Sequence, residues 1–175
     1  MDGSDNRNLI TCTASSGCTS IPISQEEGSE ISHFYIDGTD PNNLIECTSD
    51  DGCTMETSTP GIYISNNNGV LINCSSGEEE GCSYIKSNTS CSSVTDKGNV
   101  DFEEGVSIKI CASPEMEENK GWKIFDITSS GKYYLITQTL ASSVFSGVGD
   151  SPDDSIFVET STTGIKLIKS KLFFL

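Results

Sequence analysis

Residues 37–53, DGTDPNNLIECTSDDGC, restate residues 2–18, DGSDNRNLITCTASSGC, with both cysteines in register. The phrases agree at Asp2/Asp37, Gly3/Gly38, Asp5/Asp40, Asn8/Asn43, Leu9/Leu44, Ile10/Ile45, Cys12/Cys47, Thr13/Thr48, Gly17/Gly52 and Cys18/Cys53, ten of seventeen positions. A third copy, residues 66–82, NNNGVLINCSSGEEEGC, keeps Leu71, Ile72, Cys74, Gly81 and Cys82 and lengthens the loop between the cysteines by two residues. The leading cysteines stand at 12, 47 and 74, so the unit recurs at intervals of 35 and 27 residues, the range of repeat architectures.

Working outward from the cysteines, each unit reads as three strands. An aromatic or β-branched run, HFYID (33–37) or GIYIS (61–65), leads through an Asn/Asp/Gly turn to NLIEC (43–47) or VLINC (70–74). A polar loop then leads to CTMET (53–57) or CSYIK (82–86). Runs this short suit strands rather than helices, and the residues between them supply turn geometry. The first copy opens at its turn, with no counterpart of SHFYI (32–36), and reads as an excerpt of a longer array.

Past residue 95 the cysteine spacing stops while the strand grammar continues. VSIKICAS (106–113) echoes VLINCSS, GKYYLIT (131–137) echoes GIYIS, and residues 155–175 read as a hairpin about Thr163-Gly164 ending in the strand end KLFFL. Helix is supported only as a turn or two between Pro114 and Gly121. The expectation is an all-β, disulfide-stapled, solenoid-like array of short strands, with a β-sandwich or meander as the alternative. Residues 1–95 hold three repeats, the first truncated, and 96–175 hold divergent repeats or a capping β portion packed with them as one continuous domain.

Hydrophobic residues make up only 34% of the chain, so eight cysteines in close pairs read as staples for a thin core, formed in an oxidising, extracellular setting. Zinc is the weaker reading, because five, five and seven residues separate the paired cysteines and His33 is the one imidazole. Bridging Cys12 to Cys18, Cys47 to Cys53 and Cys74 to Cys82 clamps each corner, for about 2 kcal/mol per ring, and leaves Cys91 and Cys111. Bridges between neighbouring repeats are the alternative among roughly 105 connectivities. Asn73-Cys74-Ser75 and Asn88-Thr89-Ser90 are candidate glycosylation acceptors. MDGSDNRN has neither the basic start nor the apolar stretch of a signal peptide, and no run reaches the length of a membrane span.

Residues 1–85 carry fourteen acids and one base, for −13, against −3 for residues 86–175. Such a field repels nucleic acid and anionic lipid and steers basic partners, or it keeps a repeat protein soluble. Asp50, Asp51, Glu78, Glu79 and Glu80 are candidate steering residues, and Trp122, Tyr133 and Tyr134 candidate anchors, with a core role as the alternative for the aromatics. The acids cluster in turns where nothing raises a carboxyl pKa, and no GxSxG, HExxH or phosphate loop is present, so the expectation is not an enzyme. Asp37 and Asp40 invite a calcium reading, but Asp-Gly-Thr-Asp is ordinary turn chemistry without EF-hand grammar, and no cofactor is expected.

The recurring (Phe/Ile)-Tyr-Ile, Leu-Ile-x-Cys and Gly-Cys pattern resembles the repeat units of scaffoldins from anaerobic gut fungi. It is carried by Phe34-Tyr35 with Leu44-Ile45-Glu46-Cys47 and Cys53, then Tyr63 with Leu71-Ile72-Asn73-Cys74 and Cys82. The resemblance covers residues 2–95 and departs from the pattern in the loop SGEEEG and after Cys91. It implies a secreted, non-catalytic cohesin-like segment of a longer scaffold, whose partners are plant-cell-wall glycoside hydrolases bearing small cysteine-rich dockerins in a cellulosome. A carbohydrate-binding adhesin or wall protein, or a structural spacer, is the alternative. No nucleic acid or membrane insertion is expected.

Overall fold

The structure is a computed structural model that describes residues 8–13, 15, 17–22, 33–48, 51–65, 70–75, 81–113, 118–145 and 155–170. The repeat folds as an antiparallel meander. In the second unit β3 (His33–Ile36), β4 (Asn43–Thr48) and β5 (Gly52–Thr57) form one sheet with Cys47 directly opposite Cys53. In the third, β6 (Gly61–Ile64), β7 (Val70–Cys74) and β8 (Cys82–Lys86) repeat the pattern with Cys74 opposite Cys82. The first unit contributes a hairpin of β1 (Asn8–Thr13) and β2 (Gly17–Pro22), with Cys12 opposite Cys18. All three opposed pairs are disulfides. The glycine before the second cysteine takes φ of +70° at Gly17 and +73° at Gly52, a conformation an L side chain resists.

Alternation along each strand determines how the units stack. Leu44 and Phe34 point forward onto Tyr63, Ile72, Cys74 and Cys82 of the third unit, the Phe34 and Tyr63 rings lying 5.0 Å apart. Ile45, Cys47 and Cys53, of opposite parity, point back onto Leu9 of the first unit. The Leu of Leu-Ile-x-Cys therefore faces the next unit, while the Ile and both cysteines face the previous one. The stacked sheets are joined by side chains and by one parallel bridge, Phe34 to Ser65. The all-β expectation holds. The described residues contain no closed barrel and no continuous solenoid, because each strand's ladder partners are antiparallel neighbours.

The C-terminal half supplies two further meanders. β9 (Val100–Glu103), β10 (Ser107–Cys111) and β11 (Trp122–Asp126) form a three-stranded sheet in which Cys111 faces Trp122 where earlier units have their second cysteine. Cys111 bonds instead to Cys91. β12 (Lys132–Ile136), helix α1 (Gln138–Val144), β13 (Ser155–Ser161) and β14 (Gly164–Ser170) follow. β14 pairs with β6, so one six-stranded sheet, β12-β13-β14-β6-β7-β8, fuses the last meander to the third repeat. Its inner face, with Ile62, Leu71, Val158 and Ile165, packs on Ile108, Ile110 and Phe125 of the β9–β11 sheet, and this is the main core. Each fully buried side chain of this kind contributes about 1.5–3 kcal/mol.

Helix α1 is absent from the sequence reading, and the signal for it was local. Thr137 caps the helix by accepting from Leu140 N, and Leu140, Ala141 and Val144 line its buried side at helical spacing. The short helix expected between Pro114 and Gly121 is a 3₁₀ turn over Glu118–Gly121 among the described residues.

Asp96 organises the loop that holds Cys91. Its carboxylate accepts from Ser92 N at 2.8 Å, Ser93 N at 2.9 Å and Ser90 Oγ at 2.9 Å, and these bonds hold its pKa down to about 2. A carboxyl depressed in the folded state adds stability above its unfolded value near 4, and that stability fades as the pH falls through the folded value. We expect a side-chain NMR titration midpoint near pH 2 for Asp96. Thermal stability should drop more steeply between pH 4 and 2 in the wild type than in Asp96→Asn.

Candidate docking surfaces

The six-stranded sheet is covered unevenly on its outer side. Tyr63 shares that side with Gly164 and Lys166 through the β6–β14 register, and the second repeat covers the β6–β8 half there. The β12–β14 half carries two cross-strand rows on the same side, Leu135–Phe157–Ile168 and Tyr133–Glu159–Lys166. Tyr133 and Leu135 are each 61% exposed, and Phe157 and Ile168 are half-buried. The Tyr133 hydroxyl donates to Glu159 Oε1 at 2.7 Å, which raises its pKa. An apolar row beside a Tyr-Glu-Lys row, on a hydrogen-bonded sheet, makes this an amphipathic surface on a rigid frame.

A second concavity lies between the first two repeats. Its volume is about 540 Å³, and its lining includes Leu9, Ile10, Tyr35, Asp37, Ile45 and Tyr84. The Tyr84 hydroxyl, from β8, accepts from Ile36 N at 3.2 Å and so ties the third repeat to the end of β3.

The structure separates the three candidate anchors. Tyr133 stands on the open face. Tyr134, its neighbour, points the other way: its ring meets Phe125 edge-on at 5.4 Å and its hydroxyl accepts from Asp126 N, so it belongs to the core, and the anchor reading is corrected. Trp122 is half-buried at the start of β11, opposite Cys111. Of the steering acids, Asp51 is exposed in the β4–β5 turn, where Thr48 Oγ1 accepts from its backbone N, while Asp50, Glu78, Glu79 and Glu80 lie outside the described residues. Leu135 and Phe157 escaped the sequence reading, although both lie in alternating strands whose opposite parity is plainly core.

Asn88 is exposed, with its side-chain oxygen accepting from Ser90 N. Asn73 is corrected as a glycosylation acceptor. Its Nδ2 donates to Val144 O at 2.9 Å and its Oδ1 is buried, so a glycan on that nitrogen would displace α1. Asp37 accepts from Thr39 N and Oγ1, which lowers its pKa, and Asp40 accepts from Asn42 N and Nδ2; both act as turn caps. Among the described residues no three His, Cys, Asp or Glu side chains gather as a metal would need. His33 lies in β3 with its Nδ1 buried and unpartnered, and burial lowers its pKa despite Glu104 nearby.

Asp126, at the end of β11, is a strongly organised carboxylate. Lys132 Nζ and Thr128 Oγ1 each approach it at 2.6 Å and hold its pKa well below the usual carboxylate range. Four disulfides, with every cysteine paired, require an oxidising environment. Among the described residues no helix is long and apolar enough to cross a membrane. The chain matches no family model, no curated protein and no solved structure.

Proposed function

We propose that the chain is a secreted, non-catalytic docking segment that holds another protein against the β12–β14 face. The observation that carries this reading is the exposed apolar row on a sheet fixed to the disulfide-stapled stack. Tyr133 and Leu135 serve as anchors beside Phe157 and Ile168, within a frame that loses little freedom on binding. The resemblance to fungal scaffoldins supplies the partner class, the small cysteine-rich dockerin of a plant-cell-wall hydrolase. The charge of −13 on residues 1–85 favours a basic partner and speeds encounter.

The test is surface plasmon resonance of the oxidised protein against one such hydrolase with and without its dockerin, with retention on insoluble cellulose measured alongside. Binding that needs the dockerin, weakens with salt and falls about 30-fold or more in Tyr133→Ser/Leu135→Ser, with unchanged melting temperature, supports docking. Retention on cellulose without dockerin binding overturns it in favour of the carbohydrate-binding reading, in which Tyr133 stacks on sugar rings.

A further inference from the structure

The two glycosylation tripeptides, Asn73-Cys74-Ser75 and Asn88-Thr89-Ser90, meet different fates in the fold. Asn73 lies inside β7, and its Nδ2 donates to Val144 O at the end of α1. Asn88 follows β8 by two residues, and Asn88, Thr89 and Ser90 are all exposed. The Asn88 backbone N donates to Val100 O at 2.8 Å, which pins the stem of this loop to the start of β9. Its Oδ1 accepts from Ser90 N at 3.0 Å, an Asx turn that spans the tripeptide. A backbone N–H donor requires the amide oxygen at that place, so Nδ2 is turned away from the turn, and it holds no partner among the described residues.

The hydroxyl that the tripeptide requires belongs to Ser90, and in the folded loop it donates to Asp96 Oδ2 at 2.9 Å, while Asn99 Nδ2 donates to Ser90 O. The next residue, Cys91, is bonded to Cys111. The folded loop therefore accommodates a glycan on Asn88 but withholds Ser90 from a transferase, which sets sugar transfer ahead of loop closure. Four disulfides require an oxidising compartment, and the secretory lumen of a eukaryotic cell supports both disulfide formation and N-glycan transfer.

We propose that Asn88 carries an N-linked glycan, added before the loop closed by Cys91 and Cys111 folds. In the transfer, Asn88 Nδ2 gives up one proton to a base of the transferase and bonds to the anomeric carbon of the sugar. The bond from that carbon to the oxygen of a lipid-linked pyrophosphate breaks, and the pyrophosphate leaves with the electron pair. β8 and β12 are the opposite edges of the six-stranded sheet, five strand spacings of about 4.8 Å apart. The glycan thus leaves the molecule at the edge remote from Tyr133 and Leu135, so sugar and docked partner are compatible.

The test secretes the full chain behind a leader from a eukaryotic host, beside a control glycoprotein from the same cells. Peptide mapping after peptide-N-glycosidase treatment in heavy-oxygen water should find the label at position 88 and none at position 73. Asn88→Gln and Ser90→Ala should lose the whole glycan mass, and Ser90→Thr, which keeps a hydroxyl, should retain it. With microsomes and the lipid-linked donor, the reduced, unfolded chain should be modified and the oxidised, folded chain should not. The Tyr133→Ser/Leu135→Ser protein should carry the same glycan, so this proposal and the docking reading fail separately. An unmodified position 88 in cells that glycosylate the control, a glycan at Asn73 alone, or equal modification of the folded and reduced chains overturns it.

Discussion

Reduction of the four disulfides is expected to abolish the cooperative unfolding transition at 25 °C. The bridges close loops with separations of 6, 6, 8 and 20 residues. On the chain-entropy model these contribute about 2 kcal/mol for each short loop and about 3 kcal/mol for the long one, close to 10 kcal/mol together. A domain of ordinary stability has about 5–15 kcal/mol in all. Near-UV circular dichroism and a urea titration, with and without a phosphine reductant, make the measurement. A sharp transition surviving reduction at a similar midpoint would show that packing alone sustains the stack. Among single bridges, Cys91→Ser/Cys111→Ser should cost most, since it opens the longest loop and Cys111 is fully buried.

The second large effect is expected at the seam between β14 and β6. Gly164 sits opposite Tyr63 with φ of +147°, and a side chain there would overlap the carbonyl oxygen of Ile62. Across the seam, a side chain at Gly61 would overlap the carbonyl oxygen of Ile165. Two glycines thus allow the backbones to meet closely enough to join sheets more than ninety residues apart in the chain. Gly164→Val combines backbone strain with overpacking and should cost at least about 3 kcal/mol. The loss should show as a lower urea midpoint and as protease cleavage that releases the segment bearing β12–β14. Gly105→Ala has open space around its β-carbon and serves as a control for left-handed backbone strain alone, with a smaller loss.

The meander within each repeat was legible because its signals are local. Paired cysteines in register, Gly before the second and the alternation of Leu-Ile-x-Cys specify strand, turn and strand without reference to anything distant. The faces were not legible. Alternation says that Leu44 and Ile45 point to opposite sides, but which side meets which neighbour depends on the stacking partner. For the same reason Tyr133 and Tyr134 could not be told apart: their parity follows from the pairing of β12 with β13, which places Tyr134 opposite the buried Val158. The β6–β14 pairing, which joins the open β12–β14 face to the third repeat, lies beyond any local signal.

The β9–β11 sheet has a bearing on how such repeats stack. By alignment of SIKIC with VLINC, Ile108 stands for Leu71 and Lys109 for Ile72. Ile108 is in the core shared with Leu71, so this sheet meets the third repeat front to front, reversed relative to the units before it. Its outward side holds Lys109 within 3.5 Å of Asp101 and 3.4 Å of Glu103 in place of an apolar residue. The reversed sheet thus turns a charged side outward, where the second and third repeats turn apolar side chains and cysteines toward a neighbour. A duplicate of the second repeat placed beside the original meets familiar surfaces on both sides, so elongation by gene duplication demands no new interface.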